Sequence, residues 1–109
     1  MSERVIADFV GHFFVTDMDR EDPVRGRIVM SQKRLVLVGD DHKVTIPTST
    51  MFDIAVGHVP PEMRSFFSDS ITVAYRTDEG RRMAVVEAES DTVEKFASVL
   101  FKAHLNGRT

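Results

Sequence analysis

The acidic run from position 17 to position 22 comes nearest, by composition, to a metal site. Its carboxylates could supply oxygen ligands for Ca²⁺, but a calcium loop of the EF-hand type needs glycine at its sixth position and glutamate at its twelfth. Counted from Asp17, those positions hold Asp22 and Ile28. The sequence therefore favours a solvated acidic loop over a calcium site.

Catalytic side chains do not form a recognisable pattern either. The four histidines are His12, His42, His58 and His104. Their spacing places no two of them together on one strand or one helix, as a local metal site would require. Ser49 lies between two threonines rather than in a Gly-x-Ser-x-Gly turn, and the six glycines are scattered instead of forming a phosphate loop. We predict a protein that is not an enzyme and that uses no cofactor and no metal.

Basic side chains suggest an alternative function, the binding of anionic lipid headgroups. The candidate residues are Arg25, Arg27, Lys33 and Arg34. Arg25 and Arg27 share one face of a predicted strand, and Lys33 and Arg34 follow in the next turn. The neighbouring acidic loop would repel an anionic headgroup, because like charges act over a Debye length of about 10 Å. Lipid binding is therefore the less favoured hypothesis.

The irregular segment from position 57 to position 69 carries the candidate surface for a protein partner. It contains two adjacent prolines and a concentration of apolar side chains in a region that should run over the surface. The candidate partner-binding residues are Met63, Arg64, Phe66 and Phe67. The alternative is that the same side chains pack as a small cluster against the rest of the domain.

Length and composition limit the class of protein. The 109 residues fit one domain, which we expect to span positions 1–109 and which could be the first domain of a longer protein. The absence of cysteine excludes disulfides and thiolate zinc sites, and is compatible with a cytoplasmic location. A net charge of −3 disfavours nucleic acid as a partner, and no apolar run is long enough for stable membrane insertion.

Alternating apolar residues and short turns predict seven strands along most of the chain. We expect strands over 5–15, 24–30, 34–38, 42–46, 51–56, 71–76 and 81–87. The first of these also fits a helical stripe, and we favour a strand with a bulge at Gly11. Tight turns are expected at Gly39 and at positions 77–80, and Pro47 should end the fourth strand.

The C-terminal segment is predicted to be one amphipathic helix that begins at Asp91 and ends at Gly107. Asp91 is the expected N-cap, with Ser90 as the alternative. One face of this helix should carry residues at three- and four-residue spacing. That face consists of Val93, Phe96, Ala97, Leu100, Phe101 and His104.

This order of elements predicts an α+β fold. About seven antiparallel strands followed by one helix are typical of a pleckstrin-homology-like (PH-like) barrel, in which the helix closes one open end of a bent sheet. Such a domain could also form homo-oligomers through an edge strand or through the helix.

Four segments resemble the N-terminal region of CheF-type archaeal taxis proteins. They are Val5 to Phe9, Asp53 to Gly57, Phe66 to Tyr75 and Leu100 to Gly107. The resemblance implies a non-enzymatic adaptor for chemotaxis. It would couple the response regulator CheY, together with CheC and CheD, to switch components of the archaellum. CheF-type proteins are usually longer than this chain, so these 109 residues would be an excised first domain or a short variant.

Overall fold

A computed structural model describes residues 4–16, 24–58 and 69–106 of the chain. These residues form seven strands, a short 3-10 turn at Thr48–Thr50 and one helix. The strands are β1 (Val5–Val15), β2 (Val24–Ser31), β3 (Arg34–Val38), β4 (Lys43–Pro47), β5 (Met51–His58), β6 (Asp69–Thr77) and β7 (Gly80–Ala88). The helix α1 spans Ser90–Asn106. The predicted α+β class and strand order are confirmed.

The seven described strands form one antiparallel sheet in the order β4-β3-β2-β1-β7-β6-β5. β1 is its central strand: it pairs with β2 over most of its length, but with β7 only from His12 to Val15. Side chains from all seven strands and from α1 meet in one buried cluster. The sheet therefore bends back over a shared interior instead of lying flat.

Alternation of buried and exposed residues sets the two faces of the sheet. In β2, Val24, Ile28 and Met30 point into the core, whereas Arg25 and Arg27 are exposed. This is the arrangement that the sequence pattern predicts, because successive side chains of a strand point to opposite faces. The exposed side chains form what we call the outer face.

Glycine at position 11 has a different role from the one predicted. The bulge in β1 falls between Val5 and Ala7, not at Gly11. A Cβ atom added at Gly11 would lie only 2.6 Å from the carbonyl oxygen of Glu87. The position requires glycine because β1 and β7 approach closely where their pairing begins.

The helix packs on the interior of the bent sheet and begins one residue earlier than predicted. The amide of Val93 donates to the carbonyl oxygen of Glu89 at 2.9 Å, so the first helical hydrogen bond starts before Ser90. Asp91 therefore lies in the first turn, where its carboxylate interacts favourably with the helix dipole. Phe96 contacts Phe9 edge to face, with ring centroids 5.1 Å apart.

The predicted apolar face of α1 is correct except at one position. Five of its six residues are buried, but Phe101 is 42% exposed and Ala103 is buried instead. Phe101 follows Ala97 by four residues and so fits the predicted spacing, but at about 100° per residue it lies at the edge of the face whose centre is Val93, Leu100 and His104. The prediction drew that face too wide on this side.

Candidate functional site

A β-bulge in β5 displays an aromatic ring on the outer face. Met51 lies opposite Tyr75 and Asp53 lies opposite Ala74, so Phe52 is the extra residue between two successive pairs. Bulges redirect side chains and are frequent next to functional sites. Here the bulge places the half-buried Phe52 ring beside the β6–β7 hairpin.

That hairpin places two arginines directly opposite each other. Its two-residue turn, Asp78-Glu79, sets the register in which Arg76 faces Arg81. The guanidinium carbons of Arg76 and Arg81 lie 5.2 Å and 5.4 Å from the centroid of the Phe52 ring. Both distances are within the range of cation–π attraction.

Cross-strand pairs of like charge destabilise a sheet unless something compensates. The ring of Phe52 compensates partly by attracting both guanidinium groups. Among the described residues, no carboxylate lies within ion-pair distance of Arg76 or Arg81. The neighbouring Arg82, by contrast, forms a salt bridge of 3.1 Å with Glu79. Within the described part of the chain, these two cations are therefore not neutralised by a carboxylate.

A groove of about 530 Å³ adjoins these arginines, and we call it the Phe52 groove. It is lined by Thr16, Phe52, Asp53, Ala74, Arg81, Arg82 and Met83. Thr16 fixes one wall, because its amide donates to the carbonyl oxygen of Met83 at 3.0 Å and its hydroxyl accepts from the Met83 amide at 3.2 Å. The Met83 side chain is 47% exposed, so the groove combines an apolar surface with cationic edges.

A second groove, of about 250 Å³, runs between β1 and α1. Apolar side chains of both elements line it, chiefly Ile6, Phe9 and Val99, with Lys95 among its polar lining. It is smaller and carries fewer cations than the Phe52 groove.

The structure does not bring the four predicted lipid-binding residues together. Arg25 lies near the start of β2, and Lys33 lies just beyond its end. An extended chain from one to the other spans about 26 Å. Arg27 faces Val38 at one end of β3, and Arg34 lies at the other end of that strand. The four side chains form two separate groups on the outer face.

Arg27 is also engaged within the chain. Its Nε donates to Oδ1 of Asp8 at 2.7 Å, and its second nitrogen contacts the other carboxylate oxygen. This hydrogen bonding lowers the pKa of the Asp8 carboxyl below its usual value of 3.8. It likewise raises the pKa of Arg27, so the pair is fully charged at neutral pH.

The predicted partner-binding residues lie outside the described part of the chain. Met63, Arg64, Phe66 and Phe67 fall between β5 and β6, in positions 59–68. The acidic loop at positions 17–22 is outside it as well. Their assignments remain predictions.

The histidines are placed individually. His104 is buried on α1, and its Nδ1 has no hydrogen-bond partner among the described residues. His12 lies on β1 opposite Arg25 on one side and Glu87 on the other. Within 4–16, 24–58 and 69–106, no group of three histidine or acidic side chains could hold a metal ion.

The Phe52 groove was missed at the sequence level, although one signal for it was present. Counting outward from a two-residue turn at Asp78-Glu79 places Arg76 opposite Arg81. The bulge that brings Phe52 to the same place has no such signal, since Met51 to Val56 reads as an ordinary strand.

Comparison with known proteins identifies the family. The sequence pattern of the family described as archaeal chemotaxis signal transduction system protein F, CheF-arch, matches residues 5–109. The chain belongs to this family. It is also 45% identical, over all 109 residues, to the taxis protein CheF2 of Halobacterium salinarum. The chain spans 38% of the length of that curated relative.

Solved structures give this CheF-type chain its fold class. The PH domain of USP37 superposes with a TM-score of 0.58 at 12% identity, covering 91% of this chain and 97% of that one. Human RhoA in complex with the DH/PH fragment of PDZRhoGEF gives 0.64 at 11% identity, covering 95% and 29%. The C-terminal domain of a Leishmania infantum protein gives 0.63 at 11% identity, covering 93% and 84%. The CheF-type chain therefore has a PH-like fold.

The family's description places its members in an archaeal chemotaxis signal transduction system. In the described residues of this CheF-type chain, the helix is neither long nor apolar enough to cross a membrane.

Proposed function

We propose that this chain is a non-enzymatic adaptor domain in archaeal taxis. It acts in the cytoplasm and couples CheY, with CheC and CheD, to switch components of the archaellum. The observation that carries the proposal is the family match over residues 5–109, which covers the whole barrel and its helix. The 45% identity to CheF2 along the full chain supports it further.

The physical basis of the adaptor is a rigid barrel that presents its outer face to protein partners. Twenty-one apolar residues form the buried cluster, so the described strands hold their outer side chains in fixed positions. A few apolar anchors and arginines contribute most of the affinity at such surfaces. Signalling additionally requires that phosphorylation of CheY changes its affinity for the adaptor.

A capture experiment tests this function. The immobilised chain should retain CheY from an archaeal extract, and the amount retained should change when a phosphate analogue is added. An immobilised PH domain of another family serves as the matched control. Retention of CheY by both domains, or by neither, would refute the proposal.

The segment at positions 59–68 is part of the proposed partner surface. The aromatic rings at positions 66 and 67 would be its anchors, with Met63 beside them and Arg64 at the rim. Phe67→Asp should then abolish capture of CheY while the thermal unfolding temperature stays nearly constant. A large fall in that temperature would instead place the ring in the core.

Protein partners are favoured over lipid headgroups. The separation of Arg25 from Lys33 and the pairing of Arg27 with Asp8 support this preference, because a headgroup needs several free cations at one point. Co-sedimentation with anionic liposomes tests the alternative. Salt-sensitive binding that is lost in Arg25→Glu plus Arg27→Glu would favour the lipid function.

Self-association is a further alternative, through an edge strand or α1. Light scattering over a dilution series distinguishes it from the adaptor function. A chain that captures CheY while remaining monomeric at every concentration supports the adaptor proposal. Capture that is confined to concentrations at which dimers form would favour oligomerisation.

A further inference from the structure

We propose that the Phe52 groove binds a segment of a partner protein that carries separated carboxylates beside an apolar side chain. This inference rests on the proposed function as a protein-interaction domain and specifies the chemistry of one surface. It concerns a site on β5, β6 and β7 and uses none of the residues at positions 59–68.

Arg76 and Arg81 lie face to face across the hairpin, and no described carboxylate neutralises either of them. A guanidinium group that stacks on a ring keeps its N–H edge free to donate two parallel hydrogen bonds to one carboxylate. An acidic segment would therefore relieve the repulsion between the two cations as it binds.

The two arginines are preorganised for binding. The Phe52 ring lies within 5.4 Å of both guanidinium carbons and limits the conformations of two otherwise flexible side chains. Binding normally costs about 0.5–1.5 kcal/mol for each rotamer-rich side chain that becomes immobilised. Part of that cost has already been met in the unbound domain, which suits a binding role better than a purely structural one.

The groove also has an apolar part. Met83 is 47% exposed beside the half-buried Phe52, and Ala74 lies between them on β6. Aromatic residues, methionine and arginine are enriched at protein interfaces. The volume of about 530 Å³ is sufficient for one apolar side chain with its flanking backbone.

The charge balance favours a peptide over a membrane headgroup. Among the described residues, the groove and its hairpin carry three arginines, at positions 76, 81 and 82, against three carboxylates, at positions 53, 78 and 79. The surface thus offers separate cations between carboxylates rather than one concentrated positive patch, which suits a segment with isolated carboxylates. A phosphorylated headgroup concentrates several negative charges at one point, where Asp53 and Glu79 would repel it.

Nuclear magnetic resonance of the isotope-labelled chain provides the test. The probe is a short synthetic peptide of glutamate and glycine with one central leucine, compared with the same peptide carrying glutamine for glutamate. The glutamate peptide should shift amide signals at positions 52–53, 74–76 and 81–83, and the glutamine peptide should not. Shifts located elsewhere, shifts of similar size with the glutamine peptide, or an absence of shifts would overturn the proposal.

Matched variants separate specific recognition from general charge. Arg76→Gln plus Arg81→Gln should weaken peptide binding about tenfold or more, because both charge-assisted pairs are lost. Arg4→Gln plus Arg25→Gln removes the same charge from exposed positions outside the groove and should leave the affinity nearly constant. Equal weakening in both double variants would mean a non-specific electrostatic effect.

Two further measurements keep the outcomes distinct. Vesicles of phosphatidylglycerol should not compete with the peptide, and strong competition would overturn the peptide proposal in favour of a lipid surface. Peptide binding in the groove without any capture of CheY would leave this inference intact while refuting the proposed taxis partner. Capture of CheY with no peptide binding would refute this inference while leaving the proposed taxis partner intact.

Discussion

Arg76 and Arg81 lie directly opposite each other in the β6–β7 hairpin, and the Phe52 ring lies within 5.4 Å of both guanidinium carbons. A bulge in β5 brings the ring there, and a two-residue turn sets the register of the arginines. Three elements thus converge on one small surface of the outer face.

The first prediction concerns the energy of this contact. In a double-mutant cycle, Phe52→Leu and Arg81→Gln should show a coupling of about 0.5–1 kcal/mol, because the cation–π attraction needs both partners. Urea denaturation of the four proteins measures it. The same cycle with Arg25→Gln is the control, since Arg25 lies on β2, which three strands separate from β5 in the sheet, and should give no coupling. Equal coupling in both cycles would contradict the contact.

The second prediction compares neighbouring residues of α1. Leu100 is fully buried, so Leu100→Ala should lower the free energy of unfolding by about 2–5 kcal/mol. Phe101 is 42% exposed, and Phe101→Ala should cost clearly less, about 1 kcal/mol. Chemical denaturation of both variants decides the point. Losses of similar size would mean that α1 is rotated from the orientation described above.

The third prediction concerns close approach within the sheet. A Cβ atom at Gly26 would lie 2.2 Å from the carbonyl oxygen of Val38 and 2.7 Å from Phe13, so Gly26→Ala should destabilise the fold by about 3 kcal/mol. The matched change Gly57→Ala meets only the hydroxyl of Ser70 at 3.4 Å and should be tolerated. Thermal unfolding compares the two. A tolerated Gly26→Ala would show that β2 and β3 are farther apart.

The fourth prediction concerns pH. Arg27 lowers the pKa of Asp8 in the folded state, so this pair stabilises the fold above the carboxyl's usual value of 3.8. The stabilisation should disappear as the pH falls through the lowered pKa, where Asp8 becomes protonated. The unfolding temperatures of the wild type and Asp8→Asn should therefore differ at neutral pH and converge in acid. A difference that persists unchanged in strong acid would rule out the ion pair as its source.

The sequence was sufficient for the fold, because each strand shows its own local pattern. Val24, Ile28 and Met30 mark the buried face of β2, and the hairpin turn at positions 77–80 sets the register of β6 and β7. The predicted bulge at Gly11 was wrong. Glycine is required there because the carbonyl oxygen of Glu87, on a strand distant in the sequence, leaves no room for a Cβ atom. Local patterns do not contain such a contact.

The candidate surface was less accessible from the sequence. Nothing in the order of residues points to Phe52 as the neighbour of Arg76 and Arg81. The bulge that unites them depends on the pairing of β5 with β6. The sequence likewise grouped Arg25 with Lys33, whereas the extended strand between them keeps them apart.

The adaptor role is tested most directly by the affinity of purified archaeal CheY for this chain, measured by calorimetry with and without a phosphate analogue. An adaptor should form a saturable complex whose dissociation constant changes about fivefold or more between the two states of CheY. An absence of binding, or equal affinity in both states, would contradict a role as a signalling adaptor.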